Sequence, residues 1–133
     1  KLAVDALGPE HVHPLFLPYK TSSPESRRDA HVMVDWCGLP WQELDISPMV
    51  DAYLVLQPSV DRLRAGNLMA RVRMTIIFDQ SKKENALVIG TSNKSELLVG
   101  YSTWYGDMAC ALMPLGDLYK TQVRSLARHI GIP

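Results

Sequence analysis

Apolar and polar positions follow two rhythms along this chain, one of helical spacing and one of short unbroken apolar runs. Residues 1–7 read as the end of a helix: Ala3, Ala6 and Leu7 share a face, and Gly8-Pro9 stops it. Residues 12–17 read as a short apolar strand in which Pro14 removes one backbone donor, and residues 18–24 as a loop rich in Ser, Thr and Pro. In Ser22-Ser23-Pro24-Glu25 the sequence offers an N-cap, a first-turn proline and a glutamate able to complete a capping box. Ala30, Met33, Val34 and Cys37 then keep the i, i+3, i+4, i+7 spacing up to Gly38, a left-handed stop. A strand is expected at 43–46, a helix from Ser47-Pro48 through Leu56, and a polar connection over 57–66.

The longest helical pattern runs over 67–81. Leu68, Val72 and Ile76 share one face, and Met74, Ile77 and Phe78 widen the apolar surface to most of the circumference, which predicts cover from a second subunit as well as from the core. Residues 86–90 form a continuous apolar run, the pattern of a central parallel strand buried on both faces. Tyr119, Val123, Leu126, Ala127 and Ile130 make the last helical stripe, closed by Gly131 and Pro133. This order predicts an α/β fold, a parallel Rossmann-like sheet with helices on both faces. Ligands of such sheets sit beyond the carboxyl ends of the strands, so residues 18–24, 91–96 and 100–115 are the segments where chemistry is expected.

Composition narrows the classes. Equal numbers of Lys+Arg and Asp+Glu, 14 each, argue against a nucleic-acid binder that works through bulk charge. Residues 1–61 nevertheless hold 4 basic and 9 acidic side chains and residues 62–133 hold 10 and 5. That asymmetry suits either a phosphorylated ligand or two solvated faces. The longest apolar runs fall far below the roughly 20 residues of a bilayer span, and residues 1–15 lack the apolar core of a signal peptide. Cys37 and Cys110 look like buried thiols of a reduced compartment, so a soluble, cytoplasmic protein is expected.

The densest chemistry is Gly90-Thr91-Ser92-Asn93-Lys94-Ser95-Glu96, where a buried run passes into a helix. Glu96 fits two roles, the closing residue of an Asn93-x-x-Glu96 capping box and a metal ligand. With it, three further stretches resemble the NAD+ synthetase family, in its ammonia-dependent branch. They are Gly66-Asn67-Leu68-Met69-Ala70-Arg71-Val72-Arg73-Met74, Gly100-Tyr101-Ser102-Thr103-Trp104-Tyr105-Gly106-Asp107-Met108-Ala109, and Pro114-Leu115-Gly116-Asp117-Leu118-Tyr119-Lys120-Thr121-Gln122-Val123. The resemblance covers nearly the whole chain, in order.

The resemblance implies an adenine-nucleotide α-hydrolase-like fold and a two-step ligation. ATP adenylylates the nicotinate carboxylate of deamido-NAD+, and ammonia then displaces AMP to give NAD+. It implies that Thr91 and Lys120 contact ATP, that Glu96 binds magnesium, that Arg71 binds deamido-NAD+, and that Asp107 holds or deprotonates ammonium. It also implies a homodimer. Taken on position alone, Lys120 is a solvated lysine and Asp107 a turn residue. Arg73 lies about 200° around the helix from Arg71, so one of the two is expected in an ion pair. His11, His13, His31 and His129 are dispersed, and Trp36, Trp41 and Trp104 are expected in core or interface.

Three departures qualify the match. The family's S-G-G-x-D-S pyrophosphate loop does not occur here, so the chain is expected to be an incomplete single domain over 1–133, truncated at both ends and of little activity alone. Trp104 and Ala111 stand where some relatives carry lysine and aspartate, and no dinucleotide contact is carried over to either. Two other readings stay open: the synthetase domain of a glutamine-dependent enzyme, and a non-catalytic adenine-nucleotide-binding module.

Overall fold

Helix ends follow local chemistry in the computed structural model, which describes residues 1–133. The helices are α1 (Leu2–Leu7), α2 (Pro24–Cys37), α3 (Ser47–Leu56), α4 (Arg62–Lys83), α5 (Lys94–Val99) and α6 (Lys120–His129), with a 3-10 turn at Pro9–His11. The Ser23 side chain accepts from Ser26 N to cap α2, and Gly38 ends that helix in the left-handed region at φ 67. Glu25 takes no part in the cap. The start of α4 lies five residues before the expected 67, because Asp61 accepts from Arg64 N and nucleates the first turn from within the polar connection.

No strand ladder forms; extended segments pair only at two isolated parallel bridges, Phe16 with Glu43 and Ile89 with Leu112. The expected strands at 12–17, 43–46 and 86–90 are thereby corrected, and prolines supply the reason. Phe16 N donates to Gln42 O, Leu44 N to Phe16 O, and Ile46 N to Pro18 O. The bond between the last two, from residue 18 to Leu44 O, is missing because Pro18 has no donor, just as Pro14 has none on the other side. The second pairing, Leu112 N to Val88 O and Gly90 N to Leu112 O, stops where Pro114 stands.

The core gathers Leu17, Tyr19, Ile46, Val50, Val72 and Ile76, so the segment 15–19 and α3 pack on one stripe of α4. Ile46 and Val50 are fully enclosed. The run 86–90 is covered on one side only: Val88 is buried while Leu87 is 76% exposed. Phe78 of α4 is likewise exposed, so that helix is not covered all round within these residues. Cys37 and Cys110 are free and half-buried rather than buried. Trp41 stacks on His31 at 3.5 Å and leans on Phe16, whereas Trp104 is exposed and belongs to no core. No helix is long and apolar enough to cross a membrane.

Candidate functional site

Gly90 brings the 88–90 segment against its neighbour so closely that a Cβ there would meet Cys110 Sγ at 2.5 Å. The chain beyond it turns into α5. Asn93, almost fully buried, accepts from Glu96 N at 3.2 Å, and Glu96 Oε2 accepts from Asn93 N at 3.2 Å, a reciprocal capping box. The start of α6 is fastened beside it, with Lys94 N donating to Leu118 O and Lys120 N to Ser95 Oγ. These bonds bring Lys120 Nζ to 2.9 Å from Glu96 Oε1. The hydrogen bond from Lys120 is the main cause holding the Glu96 carboxyl below its usual range, with partial burial opposing it.

A second arm comes from residues 102–107. Thr103 Oγ1 donates to Asn67 Oδ1 at 2.7 Å, and Arg71 Nε donates to the Trp104 carbonyl at 3.2 Å. Buried Gly106 lies against Ala70. Asn67, Ala70 and Arg71 are i, i+3 and i+4 on α4, so one helix face holds the whole arm. Tyr105 adopts φ 56, and Thr103 N donates to Asp107 Oδ1 at 2.6 Å, closing the turn that presents Asp107.

Between the two arms lies a cavity of about 950 Å³ whose wall includes Thr91, Glu96, Asp107 and Lys120, with Asn67 and Arg62 on the α4 side. Most of its lining residues are polar or charged, and they carry both signs of charge, as a site for a phosphorylated substrate and its counter-ions would.

The family model described as NAD synthase matches residues 1–133. The chain belongs to the NAD synthase family. The chain is 53% identical over 132 residues to an NH(3)-dependent NAD(+) synthetase of Trichlorobacter lovleyi, covering 99% of the chain and 48% of that protein. It is 53% identical over 133 residues to the enzyme of the same name from Chlorobaculum tepidum. The chain thus spans about half the length of the curated relatives it matches. Among solved structures, it is similar to the NH3-dependent NAD synthetase of Campylobacter jejuni, determined with nitrate, at TM-score 0.84 and 39% identity over 89% of this chain and 52% of the other. A glutamine-dependent NAD+ synthetase of Acinetobacter baumannii, determined with ADP, gives TM-score 0.91 and 39% identity over 96% of this chain and 25% of the other. The NAD synthase fold of those structures is therefore shared.

Of the five residues singled out in the sequence, Thr91, Glu96, Asp107 and Lys120 converge on the cavity and Arg71 does not. Arg71 stands behind the 102–107 arm with its Nε on the Trp104 carbonyl. Neither Arg71 nor Arg73 makes the expected ion pair; Arg73 Nε donates to Leu17 O at 2.8 Å, and burial lowers its pKa. Backbone carbonyls took both guanidinium groups because α4 lies against two irregular segments whose carbonyls lack ladder partners. Sequence reasoning missed Arg62, placed in the polar connection, and the clamp made by Asn67 and Ala70. The i, i+3, i+4 spacing of Asn67, Ala70 and Arg71 was the available signal for the clamp.

The wall offers two carboxylates, Glu96 and Asp107, together with the Thr91 and Ser92 hydroxyls, and no group of three His, Cys, Asp or Glu side chains. This set fits magnesium of the kind that brings phosphate oxygens with it, since such ions use one or two carboxylates plus substrate phosphates. It does not make a cage for a free cation.

Proposed function

We propose that this chain forms part of an ammonia-dependent NAD+ synthetase, a carbon–nitrogen ligase that amidates deamido-NAD+ with ammonia at the expense of ATP, releasing AMP and pyrophosphate. The observation that carries the reading is the meeting of Thr91, Glu96, Asp107 and Lys120 on one polar cavity, in a chain matched over its whole length by the family. The reading takes residues 1–133 as a portion of one synthetase domain, built on a parallel sheet completed by further chain. It also takes the protein to be cytoplasmic and homodimeric. Exposed Leu63 and Phe78 on α4 support a contact between copies there, which sedimentation of the purified protein tests.

The chemical problem is a carboxylate meeting a triphosphate. Lys120 and the Thr91 hydroxyl would hold the phosphates, cancelling charge and fixing the α-phosphorus near the nicotinate carboxylate. Glu96 would hold magnesium, which when bound supplies polarisation of phosphoryl oxygens. Arg71 uses only Nε on the protein, so its remaining N–H groups are free for a dinucleotide. Asp107 keeps one oxygen on the Thr103 amide and would turn the other toward ammonium, holding it and taking its proton.

Ammonia is favoured over a glutamine-fed supply because the curated relatives at 53% identity are ammonia-dependent; the two solved structures, one of each kind and both at 39%, do not separate the branches. Thermal unfolding with magnesium and either ATP or deamido-NAD+ tests the function. Both ligands raise Tm on this reading; protection by ATP alone makes the chain a nucleotide-binding module instead.

A further inference from the structure

The ion pair on the cavity wall has a geometry that a fixed structural bridge does not need. Glu96 divides its two oxygens: Oε2 is committed to the Asn93 amide inside the capping box, and Oε1, the oxygen available to a ligand, is covered by Lys120 Nζ at 2.9 Å. The Lys120 backbone is pinned by Ser95 Oγ, yet its side chain is 50% exposed. Its ammonium can therefore leave Glu96 by rotations of its own stem while α6 stays in place. Both residues border the same cavity, so an anion that enters there offers the ammonium a second partner.

We propose that Lys120 is the resident counter-ion of Glu96 and gates its carboxylate. A divalent cation binds more tightly when a polyphosphate draws the ammonium away. The inference rests on the reading of Glu96 and Lys120 given above, and adds an order to it: the two ligands help each other bind. Charge arithmetic sets the size. A divalent cation about 4 Å from a fixed ammonium, in water-like surroundings, is disfavoured roughly thirtyfold. Moving the ammonium off a part-exposed carboxylate forfeits only about two- to fivefold. A cation arriving alone therefore meets the smaller penalty, and an incoming triphosphate removes it by giving Lys120 a new partner. Coupling of this kind is reciprocal, so Glu96 should in turn restrain metal-free phosphate binding.

The test uses the whole chain at fixed pH and ionic strength, with Mn2+ as the cation and ATP in excess EDTA as the phosphate. The variants are K120M, E96Q and the double mutant; glutamine at position 96 preserves the capping box, so α5 keeps its start. Without nucleotide, K120M is expected to bind Mn2+ about two- to fivefold more tightly than wild type, and E96Q to lose that site. In EDTA, E96Q is expected to bind ATP a few-fold more tightly than wild type, and this gain is expected to vanish when Lys120 is also replaced. Unchanged Mn2+ affinity in K120M overturns the gate. So does an E96Q gain that persists undiminished in the double mutant, because simple loss of negative charge then accounts for it. Failure of the wild type to bind ATP or deamido-NAD+ at all would sink the synthetase reading, while the Mn2+ comparison would still decide the gate.

Discussion

Replacing Gly90 by alanine adds one methyl group where the structure leaves no room. The new Cβ would lie 2.5 Å from Cys110 Sγ, 3.0 Å from Cys110 Cβ and 3.6 Å from the Leu112 carbonyl. Gly90 has no positive φ, so alanine suits the backbone and should gain about 0.4–1 kcal/mol by restricting the unfolded chain. Overpacking of this kind costs about 1–3 kcal/mol, and the clash with Cys110 outweighs the gain. The net expectation is a loss of about 1–2 kcal/mol, or a fall in Tm of roughly 3–8 °C for a chain of this size. Because Gly90 N bonds Leu112 O and Thr91 follows directly, weaker ATP binding should accompany the loss. The assay is urea and thermal unfolding of wild type, G90A, C110A and the double mutant. Cys110→Ala removes Sγ but keeps Cβ, so it should recover part of the penalty, with a coupling of about 0.5–2 kcal/mol. The reasoning fails if G90A is as stable as wild type, or if its penalty is the same in both backgrounds.

Asp51 is held below the usual carboxylate range first by its bond from Lys20 and then by the one from Tyr19. Its contribution is full above the unfolded value of about 3.9 and fades as pH falls through the lower folded value; D51N should flatten the acid limb of a Tm–pH curve. The same bonds raise the pKa values of Tyr19 and Lys20, so stability from these groups is present below their unfolded values and lost as pH rises through the folded ones. Asn67→Ala should loosen residues 102–107 by roughly 0.5–1.5 kcal/mol, read as faster amide exchange there, while α6 is unaffected. Asp107→Asn keeps an acceptor for the Thr103 amide but removes the charge; ammonia-dependent turnover of the full enzyme should fall with no change in Tm, whereas Asp107→Ala should lower both. Ile46→Ala should cost about 2–5 kcal/mol in urea unfolding, since the side chain is wholly enclosed.

Helix ends written in short-range chemistry were legible from sequence. The stop at Gly38, the Ser23 cap and the Asn93–Glu96 box all depend on residues within one or two turns of each other. The start of α4 was not, because its cap, Asp61, sits among polar residues without apolar periodicity and Gly66 dilutes the pattern further. Strand expectations failed for a different reason. An apolar run reports burial, while a ladder needs a donor at every second position, and Pro14, Pro18 and Pro114 withhold it from pairings whose partners lie far along the chain. At the site, the Thr91–Glu96 segment could be located from its own residues. The meeting of Lys120 with Glu96 and the backbone partners of Arg71 and Arg73 depend on how α4, α5 and α6 lie against the loops, which no local spacing encodes.

Helix α4 meets the interior through Val72 and Ile76, and the 102–107 arm through Asn67, Ala70 and Arg71. One rigid rod is thus both keel and bracket. A rotation of some 20°, small enough to be absorbed by repacking around Val72, would swing Asn67 and Arg71 sideways by an ångström or more at side-chain radius. Interior substitutions far from the cavity can therefore misalign Asp107 against Glu96 without touching either residue.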